Sequence, residues 1–159
     1  MAHNGKLIIA DFGKDGDKDK KNWYNVQDCD YEFSQPIDNN FKPSGNTRGG
    51  LVNFTLLSNK DDLNFHNWMF GLNEMHHVCF LLPVTMGNER NNNIPERAII
   101  CFNARCIRLS EYFNNNDSET MHMRVTICSP YIQFGDKTFF VNKSYASEEA
   151  NPYSSVTNQ

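Results

Sequence analysis

The stretch Thr120-Met-His-Met-Arg-Val-Thr-Ile-Cys-Ser-Pro-Tyr131 decides the fold class. Met121, Met123, Val125 and Ile127 take one parity, and His122, Arg124, Thr126 and Cys128 take the other. A period of two over this length is a strand with one face in a core and one face in water. Residues 51–58 repeat the pattern, with Val52, Phe54 and Leu56 on one side. In residues 22–35, Cys29, Tyr31 and Phe33 alternate, but the step back to Val26 changes parity, which predicts a β-bulge near Asp28.

Working outward, residues 6–12 read as a first strand and residues 75–86 as a dense apolar strand. Pro83 marks an edge or bulge in the latter. Residues 95–109 form a further strand, with Ile100, Phe102, Ala104 and Cys106 expected on one face. Gly135-Asp136 is a tight turn between two aromatic runs ending at Val141. The charged run at 14–21, the segment 87–93 and the Asn-rich segment 114–118 read as turns. Only residues 59–71 carry a helical period, through Phe65, Trp68, Met69 and Leu72, with Asp61 or Asp62 as cap and Gly71 as stop. The expectation is a mainly β fold: a small β-barrel or two-sheet sandwich of seven to eight strands, one flanking α-helix, and a long loop in an extended hairpin. Residues 1–141 form this domain, and 142–159 read as a polar tail.

The chain has 159 residues, 39% of them hydrophobic and 13% aromatic, enough for one domain with a proper core. A net charge of −4 speaks against a nucleic-acid partner held by bulk positive charge. Charged residues are 21%, and 22 Asn fill much of the remaining surface, which is polar without a dominant sign. The amino terminus lacks the apolar stretch of a secretory signal, and no run approaches a membrane span, so synthesis in the cytosol without membrane insertion is expected. Five cysteines with no C-x-x-C read as buried reduced thiols; Cys101 and Cys106 stand about 17 Å apart along one strand, too far to bridge.

Chemistry is sparse. Asp15-x-Asp17-x-Asp19 opens like a calcium loop, but Lys20 and Val26 stand where that loop needs Gly and Glu. His76, His77 and Cys79 are the densest candidate metal cluster, but on a strand His77 and Cys79 point one way and His76 the other. A thiol or metal-dependent enzyme using Cys79 with His76 or His77 is the weaker rival. No Cys stands at a helix start or glycine elbow, and Gly49-Gly50 precedes a strand, lacking the helix dipole that would hold a phosphate. No catalytic residue, metal ligand or cofactor site is assigned. The long polar loop 36–47, with two prolines and a glycine, is the segment whose length calls for a role.

The order of parts carries a resemblance. Cys29-Asp-Tyr31-Glu-Phe33 leads into Ser34-Gln35; a polar loop with Pro43 and Gly45 follows; Arg48-Gly49-Gly50 enters the alternating strand; a helix with Trp68-Met69, a dense strand, the run 99–111 and the strand from Met121 to Ile127 complete it. Over about residues 5–141 this resembles the type VI secretion tube protein family, haemolysin-coregulated protein (Hcp, TssD), most closely its Bacteroidota branch, which is similar in fold to phage tail-tube proteins. The resemblance implies a non-enzymatic tube subunit. It implies homohexameric rings that stack into a hollow tube, with sheath, baseplate and spike proteins as partners and effectors in the lumen. It implies assembly in the bacterial cytoplasm followed by secretion through the type VI system. Asp38, Asn39, Asn40, Phe41, Lys42, Pro43, Ser44, Gly45, Arg48, Gly49 and Gly50 are the expected stacking and subunit-interface residues. The charged run 14–21 and the tail are departures from the family pattern, and at about 18 residues the tail is too short for a fused toxin domain. The alternative reading is a monomeric β-barrel that binds a small ligand in an apolar cavity.

Overall fold

A computed structural model describes residues 5–9, 23–84, 95–116 and 120–141. The charged run 14–21 with its aspartates, the segment 87–93, the end of the 114–118 turn and the tail 142–159 lie outside the described residues.

Among the described residues, eight strands and one helix follow in the order β1 (Gly5–Ile9), β2 (Trp23–Tyr31), β3 (Leu51–Leu57), α1 (Asn64–Phe70), β4 (His76–Pro83), β5 (Glu96–Tyr112), β6 (His122–Cys128), β7 (Tyr131–Phe134) and β8 (Lys137–Phe140). The sheet runs β4-β1-β2-β3-β6-β5-β7-β8, and an added β4–β5 pairing closes six of the strands into a barrel. Closure removes the open edges that a six-stranded sheet would otherwise present. Strand β5 makes it possible by its 17-residue length: its first half pairs with β4 and β7, its second half with β6.

The alternating residues fill the barrel. Val52, Phe54 and Leu56 of β3 and Met123, Val125 and Ile127 of β6 are buried together with Leu7, Ile9, Val78, Phe80 and Ile99. Phe54 packs edge-on against Phe80 at 5.3 Å and against Phe65 at 6.0 Å. A second cluster on the other side of β1, β4 and β5 holds Ile8, Cys79, Leu81, Ile100 and Phe102.

The parity step in β2 is a register shift between Val26 and Asp28, as the sequence predicts. Other expectations need correction. In β5, Ile100 and Phe102 do not share a face with Ala104. Ile99, Cys101 and Ala104 face the barrel core, and Ile100 and Phe102 the second cluster. Asn103, at φ 52°, absorbs one residue of the alternation, and a second shift falls between Cys106 and Arg108. Pro83 ends β4 opposite Glu96, and β4 is held on both sides by β1 and β5; its irregularity lies between His76 and Val78.

The helix is also shorter than its period suggests. Neither Asp61 nor Asp62 is its cap: that position falls to Leu63, which makes no side-chain cap bond, while the Asp62 carboxylate accepts from the Asn64 amide at 3.0 Å and from the Tyr24 hydroxyl at 2.7 Å. Phe65 and Trp68 are buried, and the Trp68 indole donates to the Glu74 carbonyl at 3.0 Å. Leu72 lies beyond the last helical residue and is 93% exposed. Gly71 caps in extended backbone, and the left-handed turn falls to Asn73 at φ 58°.

Candidate interface: the extension between β2 and β3

Residues 34–48 leave the barrel between β2 and β3, and they form an ordered hairpin rather than a loose loop. Ser34 and Arg48 exchange backbone hydrogen bonds at 3.0 and 2.7 Å. Above that rung, the Gln35 amide side chain donates to the Thr47 hydroxyl at 2.9 Å and the Ser44 amide to the Pro36 carbonyl at 2.8 Å. Ile37 bridges Pro43, where the proline ring replaces an N–H. The Asp38 amide then donates to the Lys42 carbonyl at 2.8 Å.

The tip is built on one carboxylate. Asp38 Oδ1 accepts from the amides of Asn40 and Lys42 at 2.8 and 3.0 Å, and the Asp38 carbonyl accepts from the Phe41 amide. This is an Asx turn, the local bonding that makes Asp a turn former. Phe41 takes the left-handed conformation at φ 61°, and its ring is 84% exposed; Ile37 is 61% exposed. Two apolar side chains thus stand in water on a rigid polar projection.

The base is fixed by aromatic packing. Phe33 lies 4.9 Å from Phe139, 5.7 Å from Phe134 and 6.0 Å from Tyr31, ring centre to ring centre. Gly49 passes close beneath that cluster: a Cβ there would lie 2.3 Å from Phe33 Cδ1. Gly50 sits at φ 106°, its carbonyl accepts from the Ser129 amide at 2.7 Å, and a Cβ would meet the Ser129 carbonyl oxygen at 2.9 Å. The expected interface residues therefore divide by position. Asp38, Asn39, Asn40, Phe41, Lys42, Pro43, Ser44 and Gly45 form the exposed arm and tip, Arg48 closes the first rung, and half-buried Gly49 and buried Gly50 form the footing. Ile37, at the tip, is missing from the set drawn from sequence; its place opposite Pro43 emerges only once the hairpin register is known.

The other candidates serve packing. His76 meets Trp68 edge-on at 5.0 Å, while His77 lies 5.5 Å from Phe102 and its Nδ1 accepts from the Asn103 amide at 3.3 Å. Cys79 is fully buried, which pushes its thiol up to about 12, so it stays protonated at neutral pH and is a poor nucleophile. Among the described residues, no three His, Cys, Asp or Glu side chains converge on a point that could hold a metal ion.

One polar cluster has no local signal in the sequence, because its members are 45 and 53 residues apart. The Ser58 hydroxyl donates to Glu111 Oε2 at 2.7 Å, and His66 Nε2 hydrogen-bonds Oε1 of the same carboxylate. Ser58 first, then His66, hold the Glu111 carboxyl below the ordinary carboxylate range, with partial burial opposing them. The carboxylate stands between the hydroxyl and the imidazole, so the imidazole does not take the serine proton as a nucleophile's base would. The cluster is a brace between α1, the end of β3 and β5.

A packed six-stranded barrel with a hydrogen-bonded, apolar-tipped arm defines a fold class. Comparison with known proteins gives the same class. Residues 1–142 match the family model for haemolysin-coregulated protein Hcp (TssD). Hcp1 from Flavobacterium johnsoniae is 21% identical over 87% of this chain and 99% of its own, with a TM-score of 0.70. Hcp1 from Salmonella typhimurium is 11% identical over 87% and 92%, with a TM-score of 0.60. A chain from the sheath-tube complex of the extracellular contractile injection system PVC is 13% identical over 82% and 87%, with a TM-score of 0.50. No curated protein sequence matches. The chain belongs to the Hcp (TssD) family of type VI secretion tube proteins.

Proposed function

We propose that this protein is the structural subunit of a type VI inner tube. Six copies form a ring, rings stack into a hollow tube, the tube carries effectors in its lumen, and sheath contraction expels it. Sheath, baseplate and spike proteins are its further partners, and it has no enzymatic activity of its own. Assembly takes place in the bacterial cytoplasm and the tube subunit is then secreted.

The observation that carries this reading is the arm. Its laddered hydrogen bonds and Asx-turn tip hold Ile37 and Phe41 out in water, where apolar side chains gain by meeting a partner. A pre-ordered arm also loses little conformational entropy on docking. The packed barrel interior favours this reading over a monomeric ligand-binding barrel, since Phe54, Phe65, Phe80 and Trp68 occupy the space a ligand would need. Negative-stain images before and after deletion of residues 39–45 test it. Tubes or stacked rings from the intact chain, and unstacked but folded subunits from the deletion, are expected. Unchanged tubes from the deletion would overturn the role given to the arm.

A further inference from the structure

The outward face of β2, β3, β6 and β5 separates charge across its width. Register places Asp28 opposite Thr55, and Thr55 opposite Arg124. One rung on, Asp30 lies opposite Asn53, Asn53 opposite Thr126, and Thr126 opposite Arg108. Asp28, Asp30 and the following Glu32 line the β2 side, all exposed. Exposed Arg108 and Arg124 and half-buried Arg105 line the β5 and β6 side. The middle strand β3 contributes only uncharged residues on this side: exposed Leu51 and Leu57, half-buried Asn53 and buried Thr55. With strands about 4.8 Å apart, the carboxylate and guanidinium flanks are separated by roughly 10–14 Å. The polar contacts across the middle are neutral bridges: Asn53 donates to Asp30 at 3.1 Å and accepts from Thr126 at 2.6 Å.

We propose that the carboxylate flank on β2 of one copy docks beside the guanidinium flank on β5 and β6 of the next, and that this charge match sets the head-to-tail order of subunits in the ring. The inference rests on the ring reading above and adds the surface and the sign rule. A side-by-side two-fold pair would bring like flank to like flank, which repels. A heterologous arrangement brings opposite flanks together at every junction, and such an interface closes into a ring or continues as a filament. Opposite charges brought together at a contact steer encounter and fix register more than they add raw affinity.

The test uses two full-length variants. Asp28→Lys with Glu32→Lys reverses the acidic flank, and Arg108→Glu with Arg124→Glu reverses the basic one. Native mass spectrometry reads the oligomer, and circular dichroism confirms the fold of each chain. Each variant alone is expected to lose the ring species. An equimolar mixture is expected to recover it with three copies of each variant, because alternation restores opposite charge at every junction of a six-membered ring. The neutral pairs Asp28→Asn with Glu32→Gln and Arg108→Gln with Arg124→Gln replace either variant that fails to fold; each neutral pair alone should lower the ring fraction. Wild-type rings together with unaffected variant rings would overturn the charge rule while leaving the ring reading intact. Failure of two folded reversed variants to recover rings on mixing would overturn it as well. Absence of rings from the wild type would overturn the ring reading itself, and the charge rule with it.

Discussion

Asp38 is the residue on which the arm depends most. One carboxylate oxygen satisfies two amides that would otherwise face water at an exposed turn. Asp38→Ala removes both bonds, at a cost of about 0.5–1.5 kcal/mol each. Asp38→Asn keeps an acceptor in the same place. Hydrogen exchange at the Asn40 and Lys42 amides should speed up in Asp38→Ala and change little in Asp38→Asn, with the barrel amides unaffected in both. Equal exchange in Asp38→Ala and the parent would show that the tip holds without its carboxylate. Glu111 gives a second residue-scale prediction. Its carboxyl is held below the ordinary range by Ser58 and His66, so the folded chain binds its proton less readily than the unfolded chain. The stabilisation is present above the unfolded value of about 4.3 and fades as pH falls through the folded value. Thermal unfolding across acid pH should therefore fall more steeply for the wild type than for Glu111→Gln; parallel curves would remove Glu111 from the acid response.

At the scale of elements, the strands with strict alternation were readable from sequence because one face is wet and one is dry. β3 and β6 are the cases, and the bulge in β2 showed itself as a parity step. Where both faces are buried, alternation carries no direction. In the first half of β5, Ile99, Ile100, Cys101 and Phe102 are all buried, so nothing in the row marks the switch that Asn103 makes in left-handed backbone. The helical period of 59–71 overstates the helix chiefly at its start, where residues 59–63 are turn and irregular backbone before the helix begins at Asn64. The arm is legible in the sequence as a long polar loop within an extended hairpin, but its own rungs are not, since they are backbone bonds and one Asx turn that leave no periodic trace. The footing follows the same logic. Gly50 needs its positive φ and its close approach to Ser129, so Gly50→Ala should lower stability by about 1–3 kcal/mol in chemical denaturation. A variant as stable as the parent would mean that the β3 entry can shift at no cost.

For the whole molecule, the packed core is the feature that supports the proposed tube-subunit reading. Phe54, Phe80, Phe65 and Trp68 interlock inside the barrel, and Phe54→Ala should cost about 3–5 kcal/mol, read as a lowered midpoint in denaturant. A loss under 1 kcal/mol would indicate a loosely filled barrel able to admit a ligand. Outside the filled barrel stand an apolar-tipped arm, a sheet face with acid on one flank and base on the other, and a weakly charged, Asn-rich surface elsewhere. These features suit a chain whose partner is itself. Native mass spectrometry of the intact protein over a range of concentrations tests that claim most directly. A closed species of six copies of the 18.4 kDa chain is predicted; a monomer at every concentration would contradict it.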